Sequence, residues 1–286
     1  MSNPKIRLEH VSYIYSKGTP FEIKALDDVT LDIHEGTITG IIGHTGSGKS
    51  TMVQLFNGLT KPMDGRILLD GVDIWEKPKE IGKIRFRVGL VMQYPEYQLF
   101  EETVEADIAY GPKNMGLDEN EIKQRIADAA RFVGLDPGVL SKSPFDLSGG
   151  QKRRAALAGI IAMRPEVLVL DEPAAGLDPM GRDAILNGIC NYEKETGATV
   201  IIVSHSMEDM ARFCDEIIVM DHAKVRMNGP RDEIFAHSDE LIDAGLDIPE
   251  ITKMIWLLRA RGIDIDRSIY TVDRAEQELI RLFGHQ

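Results

Sequence analysis

The sequence predicts an α/β fold, a mostly parallel sheet with helices on both faces, preceded by an antiparallel β-subdomain. Two observations carry this expectation. Short apolar runs at Ile38–Gly43, Val88–Met92, Val167–Leu170 and Thr199–Val203 alternate with helical stretches, as strands buried on both faces do. The chain up to His34 instead alternates apolar and polar positions, the pattern of half-buried antiparallel strands. Ile6, Leu8 and Val11 begin the first strand, and Leu26, Val29, Leu31 and Ile33 mark the second. Glu35-Gly36 turns the chain into Thr37–Ile42, which runs into a glycine-rich loop, and Thr51–Asn57 reads as a helix closed by Gly58. Arg66–Leu69, Asp70-Gly71 and Val72–Ile74 make a hairpin, and Val88–Met92 a buried strand. Glu102–Gly134 turns helical, with Ile122, Ile126, Ala129, Ala130 and Val133 at helical spacing. A helix from Gly150 to Met163, strand Val167–Leu170, helix Arg182–Glu195 and strand Thr199–Val203 follow. A short helix from Met207 and the strand pair Glu216–Asp221 and Lys224–Asn228 complete the main unit. Beyond Phe235-Ala236-His237 the chain reads as short helices at Asp239–Gly245, Ile251–Arg261 and Arg274–Phe283. The stripe Ile251, Met254, Ile255 and Leu258 suits local core packing and a dimer contact equally.

The 286 residues hold 33 Lys+Arg against 46 Asp+Glu, a formal charge of −13, with 43% hydrophobic residues. That balance opposes a general nucleic-acid binder, because no basic field covers the molecule. Cys190 and Cys214 have no metal-ligand spacing and read as two reduced thiols. No apolar stretch approaches the roughly 18 residues of a membrane span. Met1-Ser2-Asn3-Pro4-Lys5 leads into no apolar run, so no signal peptide is expected. Any membrane role is expected to come through a partner.

Gly43-His44-Thr45-Gly46-Ser47-Gly48-Lys49-Ser50 fits the phosphate-loop pattern G-x-x-x-x-G-K-[ST], with a strand before it and a helix after. Glycines let successive backbone N–H groups turn toward phosphate oxygens at a helix N-terminus, whose dipole favours anions. Lys49 is then placed to reach the β- and γ-phosphates, and the Ser50 hydroxyl to ligate Mg²⁺. A random chain of this size matches the pattern roughly one time in a hundred. Val167–Leu170 ends in Asp171-Glu172, which suits a metal-water contact from Asp171 and a general base at Glu172. Alone, such a pair marks only a solvated strand end; beside the loop it gains meaning. Leu147-Ser148-Gly149-Gly150-Gln151 opens a helix and forms either a second anion site or a plain Ser N-cap. Next to a complete phosphate loop, a second anion site suggests two copies sharing nucleotides across a dimer.

With these motifs in place, residues 4–236 resemble the ATP-binding subunits of ABC transporters. Leu147–Gln151 resembles their signature, Asp171-Glu172 their Walker B end, and Gly176-Leu177-Asp178 their D-loop. Gln93 resembles the lid glutamine, which also contacts the metal, and His205 the switch histidine. Tyr15 stands where the family stacks an aromatic on adenine, with Tyr13 the alternative. Gln93–Phe100, Ser148–Met163 and Ala174–Pro179 look like the energy-coupling factor and cobalt-type importers, and Gly43-His44-Thr45-Gly46 like the second of their two paralogous ATPases. The segment after Phe235 is similar to the C-terminal extension of such subunits in length and character.

The resemblance implies an ABC-type nucleotide-binding domain over residues 1–236, its helical subdomain about 95–163, and a helical extension over 237–286 that is a candidate dimerisation element. It implies that Tyr15, Gly43–Thr51 and Gln93 hold Mg-ATP, while Ser148, Gly149, Gly150 and Gln151 of a partner close over the γ-phosphate. Glu172 would polarise the attacking water, His205 would contact the γ-phosphate and orient the Glu172 carboxylate, Asp178 would link the two sites, and Ser50, Gln93 and Asp171 would hold the metal. The implied partners are a second ABC ATPase, in a heterodimer rather than a homodimer, an integral membrane scaffold, and through it a membrane substrate-binding subunit. That places the chain peripherally at the cytoplasmic face of the cell membrane, driving uptake of vitamins or metal ions. Tyr97–Glu102 is where the family receives a coupling helix, and Leu99 and Phe100 suit either that groove or the core. Of the basic run Lys152-Arg153-Arg154, at least two residues are expected on a solvated helix face. The competing classes are another ABC importer and a soluble ABC ATPase of DNA repair or translation. Members of the latter carry two nucleotide domains or long heptad insertions, and this chain has one motif set and no such insertion.

Overall fold

The computed structural model describes residues 4–284; Met1-Ser2-Asn3, where no signal segment is expected, lies outside the described residues. Strands β1 (Pro4–Tyr15), β2 (Ile23–His34) and β3 (Ile38–Gly43) lead to helix α1 (Lys49–Phe56). The hairpin β4 (Asp64–Leu69) and β5 (Val72–Asp73), helix α2 (Ile81–Arg87) and strand β6 (Val88–Val91) follow. Three helices, α3 (Val104–Asn114), α4 (Glu119–Phe132) and α5 (Gly149–Ile161), precede β7 (Val167–Asp171). Then come α6 (Pro179–Thr196), β8 (Thr199–Val203), α7 (Met207–Phe213), β9 (Glu216–Asp221) and β10 (Lys224–Pro230). The tail folds into α8 (Arg231–Ala236), α9 (Ser238–Asp243), α10 (Glu250–Ala260) and α11 (Val272–Phe283).

The main sheet has the order β10-β9-β3-β8-β7-β6, parallel except for β10, which pairs antiparallel on β9. A second sheet, β2-β1-β4-β5, is antiparallel throughout. Strand side chains alternate between faces, and here each face has its own core. Leu168, Leu170, Val200, Ile202, Ile217 and Val219 join helices α3 to α7 on one side. Val167, Val169, Ile201, Val203, Ile218 and Met220 meet α1 and the antiparallel sheet on the other. The continuous apolar runs of the sequence are thus strands that face two cores, whereas β1 and β2 cover one. Helix α6 lies so close to α4 that a Cβ on Gly188 would stand 1.9 Å from the Phe132 carbonyl oxygen.

Several boundaries differ from the sequence reading for local reasons. The helical stretch from Glu102 to Gly134 is two helices: Gly116 takes φ +77° and Asp118 caps α4 by accepting from the Asn120 and Glu121 N–H groups. Helix α6 starts before Arg182, because Asp178 accepts from the Gly181 N–H at 2.7 Å and Pro179 occupies the first turn. Helix α2 buries no residue, so no apolar periodicity announces it. Helix α8 lies in what reads as the end of the main unit. In the tail Ile255 is fully buried, and Ile251 and Leu258 pack with Ile265, Ile269 and Ala275, while Met254 faces outward. Tyr270 of the tail stacks on Phe235 at 5.2 Å, and both rings belong to the main core. Both cysteines are free, Cys214 buried and Cys190 half-buried. Among the described residues no helix is long and apolar enough to cross a membrane.

Candidate active site

Parallel pairing aligns Val91 with Leu170, Asp171 with Val203, and Ile41 with Val203. The loops after β3, β6, β7 and β8 therefore emerge together at the carboxyl edge of the sheet, where open α/β sheets bind ligands. They carry Gly43–Gly48, Gln93, Asp171-Glu172 and His205. These loops and the antiparallel sheet enclose a cleft of about 460 Å³, lined by Tyr15, Ile23, Ala25, Thr45, Gly46, Gly48, Lys49, Ser50, Thr51, Gln93, Asp171, Glu172, Val203 and His205.

The phosphate loop is shaped by close packing. Gly48 has φ +108°, and a Cβ there would lie 2.2 Å from the Ala25 carbonyl oxygen of β2. No other residue fits both constraints. Lys49 is 7% exposed and folds back to donate to the carbonyls of Gly43 at 2.6 Å and His44 at 2.9 Å. Burial lowers its pKa, opposed by the charges of Glu172 and Asp171. The Ser47 hydroxyl is buried beneath the loop with no hydrogen-bond partner among the described residues. The Tyr15 hydroxyl lies 3.1 Å from Thr51 Oγ1, and its ring meets Tyr13 edge-on at 4.9 Å. Tyr15 lines the cleft, whereas Tyr13 packs on the second core.

Glu172 follows β7 with φ +52°, its N–H donating to the Val203 carbonyl at 2.9 Å. Its carboxyl is pushed up to about 7, first by burial and then by the charge of Asp171. Burial also raises Asp171, opposed by a hydrogen bond from Ser50 and by Lys49. His205 Nε2 stands 3.4 Å from Glu172 Oε1, but that oxygen has no hydrogen-bond partner among the described residues. The imidazole pKa is lowered by desolvation and by Lys49. Ser50, Asp171 and Gln93 bring hydroxyl, carboxylate and amide oxygens to one cleft, a donor set that suits a hard cation such as Mg²⁺.

The remaining motif residues lie elsewhere. Gly43 and His44 sit on the far side of the loop, with His44 Nε2 3.1 Å from Asp221 Oδ1. Ser148, Gly149, Gly150, Gln151 and Asp178 do not line the cleft. Ser148 and Gln151 form a reciprocal cap at the start of α5: Ser148 Oγ accepts from the Gln151 N–H at 3.3 Å, and Gln151 Oε1 from the Ser148 N–H at 3.0 Å. A Cβ added at Gly150 would meet the Leu177 side chain at 3.7 Å, so signature and D-loop are contiguous, and Asp178 caps α6.

The basic run differs from its expected solvated face. Arg153 is 4% exposed, holds Glu96 through two hydrogen bonds of 3.1 and 2.9 Å, donates to the Ala175 carbonyl, and lies over the Tyr94 ring. Arg154 donates to the carbonyls of Val133 and Gly134, and Lys152 sits over the Phe145 ring. The sequence reading placed Arg153 in the basic run without pairing it with Glu96, and no local pattern links the two. Arg182 was also passed over; it holds the Asp209 carboxylate at 2.9 Å and contacts Ser206, bracing the turn that carries His205. The S-x-x-D spacing of Ser206 and Asp209 was the available signal. A separate groove of about 310 Å³ is bordered by Phe86, Leu99, Phe100, Asp107, Tyr110 and Met163. Leu99 reaches the core from it and Phe100 stands exposed.

Comparison with known proteins shows the family and the fold. The family model described as ABC transporter matches residues 26–175, and one described as AAA domain, putative AbiEii toxin, Type IV TA system, matches residues 143–210. The chain is 50% identical over 282 residues to the energy-coupling factor transporter ATP-binding protein EcfA2 of Clostridium tetani, covering 98% of each. It is 52% identical to the protein of the same name from Clostridium acetobutylicum, covering 97% of each. Among solved structures, cbiO1 from Clostridium perfringens, part of the ABC transporter complex cbiONQ, aligns with TM-score 0.76 and 38% identity over 89% of this chain and 99% of that one. The cassette MJ0796, in a dimeric post-hydrolysis state bound to ADP and Pi, aligns with TM-score 0.72 and 28% identity over 79% and 98%.

Proposed function

Because the chain belongs to the ABC transporter ATPases, in their energy-coupling factor ATP-binding branch, we propose that its cleft holds Mg-ATP and that Glu172 takes the proton of the attacking water. Lys49 and the loop N–H groups bind the β- and γ-phosphates, and Tyr15 packs on the adenine. Ser50, Asp171 and Gln93 hold Mg²⁺, which when bound neutralises charge on the phosphate oxygens. Water oxygen bonds to the γ-phosphorus as its proton passes to Glu172, and the bond to the β–γ bridging oxygen breaks, leaving ADP and phosphate. His205 contacts the γ-phosphate and keeps Glu172 in line. The observation that carries this reading is Glu172 Oε1, buried at the cleft without a hydrogen-bond partner among the described residues.

The partner that completes the site is a second ABC ATPase, in a heterodimer. Ser148–Gln151 of each chain closes on the nucleotide of the other, and Asp178 joins the two sites. The groove at Leu99 and Phe100 receives an integral membrane scaffold, through which a membrane substrate-binding subunit is reached. The chain then works peripherally at the cytoplasmic face of the membrane, in uptake of vitamins or metal ions. Closure around nucleotide and release after hydrolysis would move the scaffold. The test is Glu172→Gln, expected to keep ATP binding, lose turnover and accumulate as an ATP-bound dimer in size-exclusion chromatography. Hydrolysis at the unsubstituted rate would remove Glu172 from this role.

A further inference from the structure

The nucleotide loop and the β9–β10 turn share a side-chain cluster that the reaction does not use. Gly43 pairs with Met220 where β3 runs parallel to β9, so the next residues, His44 and Asp221, emerge side by side. His44 Nε2 lies 3.1 Å, and His222 Nδ1 2.6 Å, from the same oxygen, Asp221 Oδ1. One ligand atom from each residue lies within 4.8 Å of the other two. Arg226 engages the other oxygen, Oδ2, at 3.3 Å.

The hydrogen bonding of His44 restricts what can lie between these groups. Its Nδ1 is 2.9 Å from the Thr45 carbonyl oxygen, which only accepts, so the tautomer that satisfies this contact carries its proton on Nδ1. In a neutral ring Nε2 then turns a lone pair toward a carboxylate oxygen that is itself an acceptor. A metal ion seated between them satisfies both lone pairs, as a second ring proton also does. One ring N–H donated to a backbone carbonyl, with the other nitrogen free to coordinate, is the arrangement of metal-bound histidines.

We propose that His44, Asp221 and His222 form a site for a borderline divalent transition ion, Zn²⁺, Co²⁺ or Ni²⁺, that ties the nucleotide loop to the β9–β10 turn. Two imidazoles and one carboxylate suit such ions and leave a position for water, whereas Mg²⁺ favours oxygen ligands. Zinc–nitrogen bonds of about 2.0–2.1 Å set tetrahedral ligands roughly 3.3 Å apart. The 3.1 and 2.6 Å contacts open toward that spacing, the ligand atoms of the two histidines, within 4.8 Å of each other, must come to it as well, and the exposed His222 is free to turn. The site stands behind the loop, apart from Ser50 and Asp171, and does not depend on the hydrolytic reading.

The test uses tag-free, chelator-treated full-length protein without nucleotide, titrated with Co²⁺ alone by calorimetry and visible absorption. One ion per chain is expected. His222→Ala and Asp221→Asn should each weaken binding by at least about 100-fold, the upper end of what loss of an outer hydrogen-bond partner costs. His10→Ala, which breaks a separate exposed His10–Asp28 pair, should change nothing. No saturable binding, or equal affinity in the first two variants, overturns the site and leaves an imidazolium–carboxylate pair. If those variants fail to fold, the unsubstituted protein decides. Paramagnetic Co²⁺ should broaden the ring resonances of His44 and His222 before those of His10 and His34, and the reverse order overturns the proposal.

Discussion

Glu172 is a carboxylate whose surroundings resist its charge: it is buried, next to Asp171, and one of its oxygens has no hydrogen-bond partner among the described residues. The sign of the resulting pH dependence follows directly. A carboxyl raised from 4.5 to about 7 binds more protons folded than unfolded across that interval. Stability is therefore lost as pH climbs from about 4.5 to 7 and is not regained above it. Glu172→Gln removes the charge, so nucleotide-free, chelator-treated variant should be more stable than the parent at pH 8 by on the order of 1–3 kcal/mol. The advantage should shrink to nothing near pH 4.5. Thermal unfolding at several pH values checks this, and a constant difference across the range would contradict it. The sequence made Glu172 legible as the end of an apolar strand beside a phosphate loop. Its raised pKa was not legible, because burial there depends on β8 and the loop from β3, which only the folded sheet brings together.

Arg153 shows the same limit between elements. Its place in the basic run suggested a solvated helix face, yet it bridges α5, the turn after β6 at Glu96, and Ala175 ahead of α6. A helix face reveals itself by periodicity, but a buried ion pair between distant segments leaves no periodic trace. Because both side chains are largely buried, the pair must keep both members or neither. Glu96→Ala leaves a buried guanidinium without its carboxylate and should cost about 3–5 kcal/mol. The double variant Glu96→Ala/Arg153→Met should recover part of that loss, since an apolar side chain fills the space without a charge. Denaturant unfolding of both singles and the double gives the coupling energy. Strictly additive losses would mean that the pair is not an energetic unit. Elements whose signals are local, such as the glycine loop, the Asp70-Gly71 hairpin and the alternating β1 and β2, were read correctly because their determinants lie within a few residues.

At the scale of the molecule, the motif residues fall on two surfaces. Tyr15, Lys49, Ser50, Gln93, Asp171, Glu172 and His205 share one cleft, while Ser148–Gln151 and Asp178 lie outside its lining. The sequence order interleaves the two groups, and only the β3-β8-β7-β6 neighbourhood separates them. If the second surface serves the nucleotide of a partner, substitutions on the two surfaces should fail differently. Lys49→Ala should remove most ATP affinity from the isolated chain, because it deletes the cation buried against the loop carbonyls. Ser148→Arg changes an exposed cap and should leave ATP binding to the isolated chain within about twofold, well under the 1.4 kcal/mol of a tenfold change. It should nevertheless abolish ATP-driven dimerisation, because a bulky cation would occupy the surface that must close on the partner's γ-phosphate. Nucleotide titration of the isolated chain, paired with size-exclusion chromatography in ATP, separates the two effects. If Ser148→Arg weakened ATP binding to the isolated chain as severely as Lys49→Ala, both surfaces would serve one nucleotide and the shared-site arrangement would fall.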